Sequence, residues 1–474
     1  MSALLPVLSL VAAAAGPQSF AIVVGENRPV DPTIKPLLYA DDDAVLTHQL
    51  LVENGASSTL LVRPDPDTQK LFAFETLPER PTDEALYAAV DATFARIRAA
   101  REAGATTRFY FVYSGHGDVD NGEGYVALED GRLTRRELYD RVLSRSPAHE
   151  NHVIVDACRS YYLVFGRGPG GERRSHAFAL ADVRERFPNT GFLLSTSSDA
   201  DSHEWSRYRG GIFSHEVRSA LRGAADADLD SNITYAEVAA FVRRANETIR
   251  NSRFRPDAAI VPPLEASPVA AALLSWSGDD GVIVPPRASL GHMVLEDDLG
   301  VRLADAHPAD GQEVRFWGAS SRPVYVLANE GGLEYVITEP GRIVLARHLA
   351  SPQRSISRGP AHEAFRSLFE APFSRSDVDA QLLVLPDDFG LSVELERPRL
   401  SETVASWAPY VAVGALVVGA SMTTTALIER GNADMQKFAQ VNDRLRIYNG
   451  VAVASYAGAA ASAVLWFVLT ELEE

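Results

Sequence analysis

The feature that most constrains the fold is a regular alternation of short apolar runs with amphipathic segments before residue 265. Five runs have the length of buried strands, at 20–25, 58–62, 109–113, 152–155 and 191–196. The segments between them have helical spacing, most clearly over 82–103. Strands that alternate with helices in this way predict an α/β fold, with a mostly parallel sheet flanked by helices.

Two of these runs end in polar motifs. The run 109–113 leads into Ser-Gly-His-Gly, which contains His116, and the run 152–155 leads into Asp-Ala-Cys-Arg-Ser, which contains Cys158. The carboxyl ends of parallel strands meet at one edge of a sheet, where reactive side chains collect. Cys158 is the single cysteine among 474 residues, which excludes an internal disulfide framework and a thiolate-rich metal site.

A histidine and a cysteine at one sheet edge form a candidate dyad for acyl transfer. The thiol attacks a carbonyl only as a thiolate, and a histidine can take its proton and later protonate the leaving amine. The backbone amides of Gly117 and Cys158 are the candidate donors for the oxyanion. The alternative for each residue is a non-catalytic role, because an isolated cysteine is more often structural and a histidine after a strand is mostly a polar loop residue.

The two motifs together resemble the caspase and metacaspase family of cysteine peptidases. His116 and Cys158 are 42 residues apart in the sequence, near the spacing of about 50 noted for caspases. The resemblance covers about residues 20–250 and includes the Gly-Gly-Ile-Phe-Ser stretch at 210–214. It implies a Cys–His dyad endopeptidase on a six-stranded, mostly parallel sheet.

Asp156 bears on the specificity that this resemblance implies. Animal caspases have Gln two residues before the cysteine, whereas this chain has Asp156, as metacaspases do. A carboxylate beside the nucleophile favours Arg or Lys at P1 through a charge-assisted hydrogen bond. Asp199 is a second candidate for the same pocket, and the alternative for Asp156 is that it caps a turn. Exposed arginines near Arg173, in the family's inter-subunit linker, suit either self-cleavage or a solvated basic loop.

An acidic loop at 226–237 has the spacing of an EF-hand. Its candidate calcium ligands are Asp226, Asp228, Asp230, Asn232, Thr234 and Glu237. Ser231 replaces the expected glycine at the sharp turn, which weakens the match. The thiol chemistry requires no cofactor, so calcium is an optional ligand, and the alternative is an acidic loop that caps a helix without an ion.

The pattern changes beyond the predicted peptidase domain at 18–265. Pro-Pro pairs at 262–263 and 285–286 flank a predicted linker, and residues 287–398 carry short alternating runs. These runs predict a small β-rich domain with one helix near 362–369, and they contain no recognisable chemistry.

The two ends of the chain predict a membrane anchor. The segments 404–428 and 447–470 have no charged residue and are each long enough to span a bilayer, so 404–470 is a predicted transmembrane helical hairpin. Its loop at 429–446 is basic, which predicts a cytoplasmic loop and an extracytoplasmic, periplasmic catalytic domain. Residues 1–16 resemble an export signal. The alternative for the hairpin is two buried core helices, and the alternative for residues 1–16 is a disordered or membrane-lying N-terminus. A further possibility is an uncleaved first segment with cytoplasmic topology.

Two functions of different classes follow. The first is a membrane-anchored cysteine endopeptidase that acts on peptides or proteins and cleaves them after Arg or Lys. The second is a catalytically inactive sensor or scaffold that keeps the fold as a platform at the membrane. The formal net charge of −18 makes nucleic acid an unsuitable partner for either.

Overall fold

In the computed structural model, most of the chain between Pro17 and Asp388 is described. The described residues are 17–28, 30, 32, 35–158, 160–164, 183–195, 204–251, 255–256, 258–264, 272–277, 281–284, 291–297, 299–318, 325–329, 334–339, 342–345 and 364–388. The strands are β1 Gln18–Glu26, β2 Ser57–Val62, β3 Thr107–Gly115, β4 Gly117–Asp120, β5 Glu123–Ala127, β6 Arg132–Thr134, β7 Glu150–Ala157, β8 Thr190–Ser195, β9 Glu204–Trp205, β10 Gly210–Gly211, β11 Asn232–Thr234, β12 Ala258–Val261, β13 Ala272–Ser275, β14 Gly281–Val284, β15 Met293–Asp297, β16 Arg302–Ala306, β17 Val314–Trp317, β18 Tyr325–Asn329, β19 Glu334–Glu339 and β20 Arg342–Leu345. The helices are α1 Ala40–Glu53, α2 Pro66–Leu71, α3 Asp83–Glu102, α4 Arg135–Glu137, α5 Tyr161–Val164, α6 Ile212–Ser219, α7 Tyr235–Ala245 and α8 Arg375–Asp388.

The central element is a six-stranded sheet in the order β12-β8-β7-β3-β1-β2. Five strands are parallel, and β12 pairs antiparallel with β8 at one edge. The inner strands are buried on both faces, which is why they read as continuous apolar runs rather than alternating ones. The predicted mostly parallel sheet flanked by helices is therefore confirmed.

Each face of the sheet has its own core. On one face Val23, Tyr110 and Ile154 pack with α1, α6 and α7. On the other face Ile22 and Phe111 pack with α3 and the segment that follows α4. Successive residues of one strand point to opposite faces, so both cores are built from the same short runs.

Polar caps begin the predicted helices. The Thr82 side chain accepts a hydrogen bond from the amide of Ala85 at the start of α3. Thr134 and Glu137 form a capping box at the start of α4. That helix is not regular, because it passes into a π-helical turn at Leu138–Val142 and a 3-10 turn at Leu143–Arg145.

Two details beyond residue 262 differ from the prediction. The expected linker contains β13, which pairs with β11, and β14, which pairs with β17, so the Pro-Pro pairs flank strands. The described helical residues near 364 form only a short turn, whereas α8 follows it. The signal for α8 was Ser374 with Asp377 three residues on, because the Ser374 amide and hydroxyl both bind the Asp377 carboxylate.

The predicted β-rich character of this region is visible in its described residues. Five strands form an antiparallel sheet in the order β16-β15-β18-β19-β20. Within this sheet, β18 and β19 are consecutive in the chain and pair antiparallel.

The predicted export signal and membrane hairpin lie outside the described residues, in 1–16 and 404–470. Among the described helices, none is both long and apolar enough to cross a membrane. The anchor therefore stays a prediction from hydropathy.

Candidate active site

The register of the sheet places His116 and Cys158 side by side. In the parallel pair β3–β7, Ser114 lies opposite Asp156 and Gly115 lies opposite Ala157. The next residue on each chain is His116 and Cys158, and both line one cavity at the carboxyl end of the sheet. The predicted dyad residues are thus brought together.

Gly117 allows this close approach. A methyl group on its Cα would lie 2.5 Å from the carbonyl oxygen of Cys158 and 3.0 Å from Cβ of Ala157. A larger residue would push the two strand ends apart, because both contacts are with backbone or with Cβ. The backbone segments that carry the two predicted oxyanion donors, Gly117 and Cys158, therefore pack against each other beside the dyad.

His116 is held as a neutral base. Its ring makes a hydrogen bond to the backbone of Asn27, and its Nε2 atom is buried without a hydrogen-bond partner among the described residues. Burial lowers the pKa of His116 below 6.5, and the Asn27 contact offsets this only in part. The imidazole is therefore unprotonated at neutral pH, which is the form that can accept a thiol proton.

The floor of the cavity is acidic. It is lined by the carboxyl groups of Asp43, Asp156 and Glu204. The Asp156 carboxylate accepts hydrogen bonds from the amide of Ser214 at 3.0 Å and from its hydroxyl at 2.6 Å. Since Ser214 lies in the first turn of α6, Asp156 both caps that helix and lines the cavity. The two interpretations of Asp156 are compatible.

Asp43 and Glu204 are the acidic residues that the sequence reasoning missed. Asp43 accepts a 2.7 Å hydrogen bond from the Gly211 amide, and Nη1 of Arg218 lies 2.7 Å from its Oδ1. Glu204 accepts hydrogen bonds from the amides of Leu38 and Tyr39. Burial raises the pKa of Asp43 to about 7 and also raises the pKa of Glu204.

Asp41, Asp42 and Asp43 lie in the first turn of α1, where acidic side chains complement the positive end of a helix. The structure buries all three carboxylates. Asp41, for example, accepts hydrogen bonds from the Asn27 side chain and the Thr68 hydroxyl, both at 2.8 Å. The available signal was three consecutive acidic residues at the start of an otherwise apolar helix.

Glu216 yields a stability prediction. It is fully buried in α6, forms no ion pair among the described residues, and has its pKa raised well above 4.5 by burial and by nearby Asp156. The folded state therefore retains a proton that the unfolded state loses as pH rises above its ordinary pKa, so stability falls with rising pH. We expect Glu216→Gln to raise the melting temperature over wild type by more at pH 8 than at pH 5.

The control for this prediction is Glu102→Gln, at an exposed carboxylate near the end of α3. It should leave the melting temperature unchanged at both pH values. An equal effect of Glu216→Gln at pH 5 and pH 8 would show that Glu216 is ionised in the folded protein.

The acidic loop at 226–237 is only partly assembled as predicted. Oxygens of Asp226, Asp228 and Glu237 lie within 4.8 Å of one another. Glu237 also forms the capping box of α7 with Thr234, and the Asp230 carboxylate accepts a hydrogen bond from the amide of Asn232. The side chains of Thr234, Glu237 and Asp230 thus accept hydrogen bonds from backbone amides, as the helix-capping alternative expects.

Ser231 shows why this loop keeps an EF-hand shape. Its φ is 70°, the left-handed conformation that glycine usually supplies. Its amide donates to the Asp226 carboxylate at 3.1 Å, which closes the turn. A guanidinium also contacts the cluster, because Arg375 is paired with Asp228.

Two predicted features lie outside the described residues. These are Asp199, the second candidate for the specificity pocket, and the basic linker near Arg173. Both stay predictions.

Comparisons with known proteins agree with this geometry. The profile of the family described as "Caspase domain" matches residues 18–266, more than half of the chain. No match was found among curated proteins.

Solved structures are similar over about half of the chain. A protein from Geobacter sulfurreducens is 19% identical, covers 55% of this chain and 100% of its own, and gives a TM-score of 0.32. A pro-sf-caspase-1 structure is 13% identical, covers 55% of this chain and 94% of its own, and gives a TM-score of 0.33. At these scores neither structure contributes to the assignment, which depends on the family profile. The chain belongs to the caspase-domain family, whose members are generally cysteine peptidases that act on peptides or proteins.

Proposed function

We propose that the protein is a cysteine endopeptidase that cleaves after Arg or Lys. The observation that carries this proposal is the shared cavity, in which His116, Cys158 and three carboxyl groups meet at the carboxyl end of the sheet. A thiol beside a neutral imidazole supplies the nucleophile and base, and the carboxyl groups supply a site for a cationic side chain.

The mechanism is acyl transfer in two halves. His116 takes the proton of the Cys158 thiol, and the sulfur attacks the scissile carbonyl carbon to form a tetrahedral oxyanion. The amides of Gly117 and Cys158 are the proposed donors to that oxyanion. The C–N bond then breaks, and His116 gives its proton to the leaving amine. His116 next takes a proton from water, which attacks the thioester, releases the carboxylic acid and regenerates the thiol.

The preference for a basic P1 residue follows from charge. Arg218 neutralises much of the charge of Asp43, since its guanidinium lies 2.7 Å from the carboxylate. Asp156 and Glu204 are bound by neutral donors, the Ser214 and Leu38–Tyr39 groups. Their negative charge is therefore uncompensated by these contacts, and a guanidinium or ammonium of the substrate would supply the missing cation.

A covalent label tests the proposal. Wild type is incubated with two peptidyl acyloxymethyl ketones that differ only in Arg or Asp at P1, and intact mass is measured. We expect one adduct with the Arg reagent and little with the Asp reagent, and Cys158 is the only cysteine that could carry it. If neither reagent reacts while iodoacetamide alkylates the thiol freely, the inactive scaffold is the correct interpretation.

We also propose that the loop at 226–237 binds calcium weakly. Burial and neighbouring acidic groups raise the pKa of Asp226 to about 6 and that of Glu237 to about 7. A divalent cation would relieve the repulsion among the converging carboxylates, whereas the Arg375 contact and the backbone hydrogen bonds already relieve part of it. An affinity near that of extracellular modules, about 10⁻⁴–10⁻³ M, is the expected result.

Calorimetric melting tests the calcium site. Millimolar calcium should raise the melting temperature of wild type and leave Asp228→Ala unshifted, because the variant lacks one of the converging carboxylates. Magnesium is the control for general ionic strength, and it should shift neither protein. A wild-type protein that melts at the same temperature with and without calcium has no such site.

The proposed location is extracytoplasmic, with 404–470 as a membrane anchor in contact with lipid. The support is the hydropathy of the two uncharged segments and the basic loop between them. A membrane-impermeant thiol reagent applied to whole cells tests the topology, because Cys158 is the only thiol. Labelling only after the membrane is broken would support the cytoplasmic alternative.

A further inference from the structure

Helix α6 holds the acidic floor of the cavity from one side. The Gly211 amide, just before the helix, donates to Asp43, and the Ser214 amide and hydroxyl donate to Asp156. One turn later Arg218 contacts Asp43 again at 2.7 Å. The position of α6 therefore sets where the carboxylates of the pocket lie.

The other side of α6 is tied to the β-rich region. Nε2 of His215 lies 2.6 Å from Oδ2 of Asp305 in β16. The Ser219 hydroxyl accepts a 3.0 Å hydrogen bond from the backbone amide of Asp305. Both contacts are fully buried. Two successive turns of α6 are thus fixed to one residue of β16.

Asp305 is the centre of a buried polar cluster. Arg302 pairs with its carboxylate, and Nε2 of His292 lies 2.6 Å from its Oδ1. The Arg302 guanidinium compensates the buried charge, and it also lies 4.8 Å from the ring of Tyr208. Tyr208 stacks on His215 at 4.0 Å. Since Tyr208 connects β9 to β10, the cluster also contacts the hairpin that carries Glu204.

A second contact continues this attachment after the helix. Arg222 donates to the carbonyl of Trp317 at 3.0 Å and to the Glu53 carboxylate at 2.8 Å. Gly223, with a φ of 109°, lies so close to the Arg315 backbone that a side chain would not fit. The apolar core is continuous across the same junction and includes Phe213 and Leu303.

From these contacts we infer that Asp305 is a positioning residue for the P1 pocket, and that residues 291–297 and 299–318 act as a fixed support for α6 in substrate recognition. The inference depends on the proposed function, since it assigns the pocket to a basic P1 side chain. The path is short: Asp305 binds His215 and Ser219, the helix carries Ser214 and Arg218, and these bind Asp156 and Asp43. Asp305 itself does not line the cavity among its described residues.

The test compares Asp305→Asn with wild type, using the full-length chain. An amide keeps the volume of the side chain but loses the charge and one of the two acceptor oxygens. The pair with Arg302 and the contact with one of the two histidines, His215 or His292, are therefore weakened. The first measurement is the calorimetric affinity for agmatine, a guanidinium ligand that needs no peptidase activity. The second is the rate at which neutral iodoacetamide alkylates Cys158, which reports the dyad and not the P1 pocket.

We expect agmatine to bind Asp305→Asn about tenfold more weakly, with iodoacetamide alkylation within about twofold of wild type. On a peptide with Arg at P1, KM should rise by a similar factor while kcat changes little. Ser219→Ala, which removes the acceptor for the Asp305 amide and the hydroxyl that donates to the His215 carbonyl within α6, should shift agmatine affinity in the same direction by a smaller factor. Ser219→Ala is the variant that tests the inference if Asp305→Asn does not fold.

Tyr235→Phe is the control for stability alone. It removes a buried hydrogen bond to His152, 2.7 Å long, in the same core, and neither residue lines the described cavity. It should lower the melting temperature and leave agmatine affinity unchanged. Wild-type agmatine affinity in Asp305→Asn and Ser219→Ala, or equal weakening in Tyr235→Phe, overturns the inference.

The proposed function can fail separately from the inference. A wild type that binds agmatine but turns over no peptide refutes the peptidase, and the comparison of variants still decides the role of Asp305. A wild type that does not bind agmatine has no cation pocket for α6 to position, and it refutes the inference as well.

Discussion

Cys158→Ala is expected to lower kcat/KM on a peptide with Arg at P1 by at least about 10³-fold, because no other thiol can form the acyl intermediate. The substitution removes one atom from a partly exposed turn after β7, so the melting temperature should stay close to that of wild type. The measurement is the initial rate at saturating and at limiting peptide, at equal protein concentration.

His116→Ala is the companion variant. If the two residues form one unit, it should lose activity to a similar extent, and the double variant should be little worse than either single one. Additive losses in the double variant would contradict a dyad. The wild-type rate should also fall as pH drops through the lowered pKa of His116, below 6.5, since the protonated ring cannot act as a base.

Asp156→Asn is expected to have the second largest effect, a loss of about 10²-fold in kcat/KM for the Arg peptide. The Asn oxygen can still accept the hydrogen bonds of Ser214, so α6 keeps its cap while the pocket loses a charge. A peptide with neutral Gln at P1 measures the selectivity, and the ratio of Arg to Gln rates should collapse.

Asp140→Asn is the matched control for Asp156→Asn. Asp140 is an exposed carboxylate paired with Arg186, and it does not line the cavity. The control should retain the wild-type preference for Arg, which separates the local charge from the net charge of the chain. An unchanged preference in Asp156→Asn would assign P1 recognition to other groups.

The strand register was the part of the site most accessible from sequence. The apolar runs are buried on both faces, so their length and continuity identify them, and parallel pairing then brings His116 beside Cys158. Asp156 was predictable for the same reason, as it lies opposite Ser114 at the end of β7. The local apolar pattern, together with the rule that the carboxyl ends of parallel strands meet at one edge of a sheet, is sufficient to place these three residues in one site.

Glu204 and Asp43 were not accessible in this way. Glu204 lies in the hairpin β9–β10 and lines the cavity from there. Each strand of this hairpin has only two residues, which is too short to give an alternating pattern. Asp43 follows two other aspartates, and a helix-terminus role accounts for all three without any tertiary contact. Their placement depends on long-range contacts with Leu38 and Arg218, which no spacing rule encodes.

The same limit applies to the β-rich region. Its strands were predictable as alternating runs, but its packing on α6 depends on Asp305, a charged residue in the fully buried strand β16. An isolated Asp in a short apolar run usually indicates an exposed position. Its burial is explained by the partners of its carboxylate, His215, His292 and Arg302.

The most direct test of the central claim is a rate comparison on three fluorogenic tetrapeptides that are identical except for Arg, Lys or Asp at P1. Wild type and Cys158→Ala are assayed in parallel, with and without calcium. The proposed function predicts that wild type cleaves the Arg and Lys peptides at least tenfold faster than the Asp peptide, roughly the factor that 1.4 kcal/mol supplies, and that Cys158→Ala cleaves none. Preferential cleavage after Asp, or equal rates for wild type and Cys158→Ala, would contradict it.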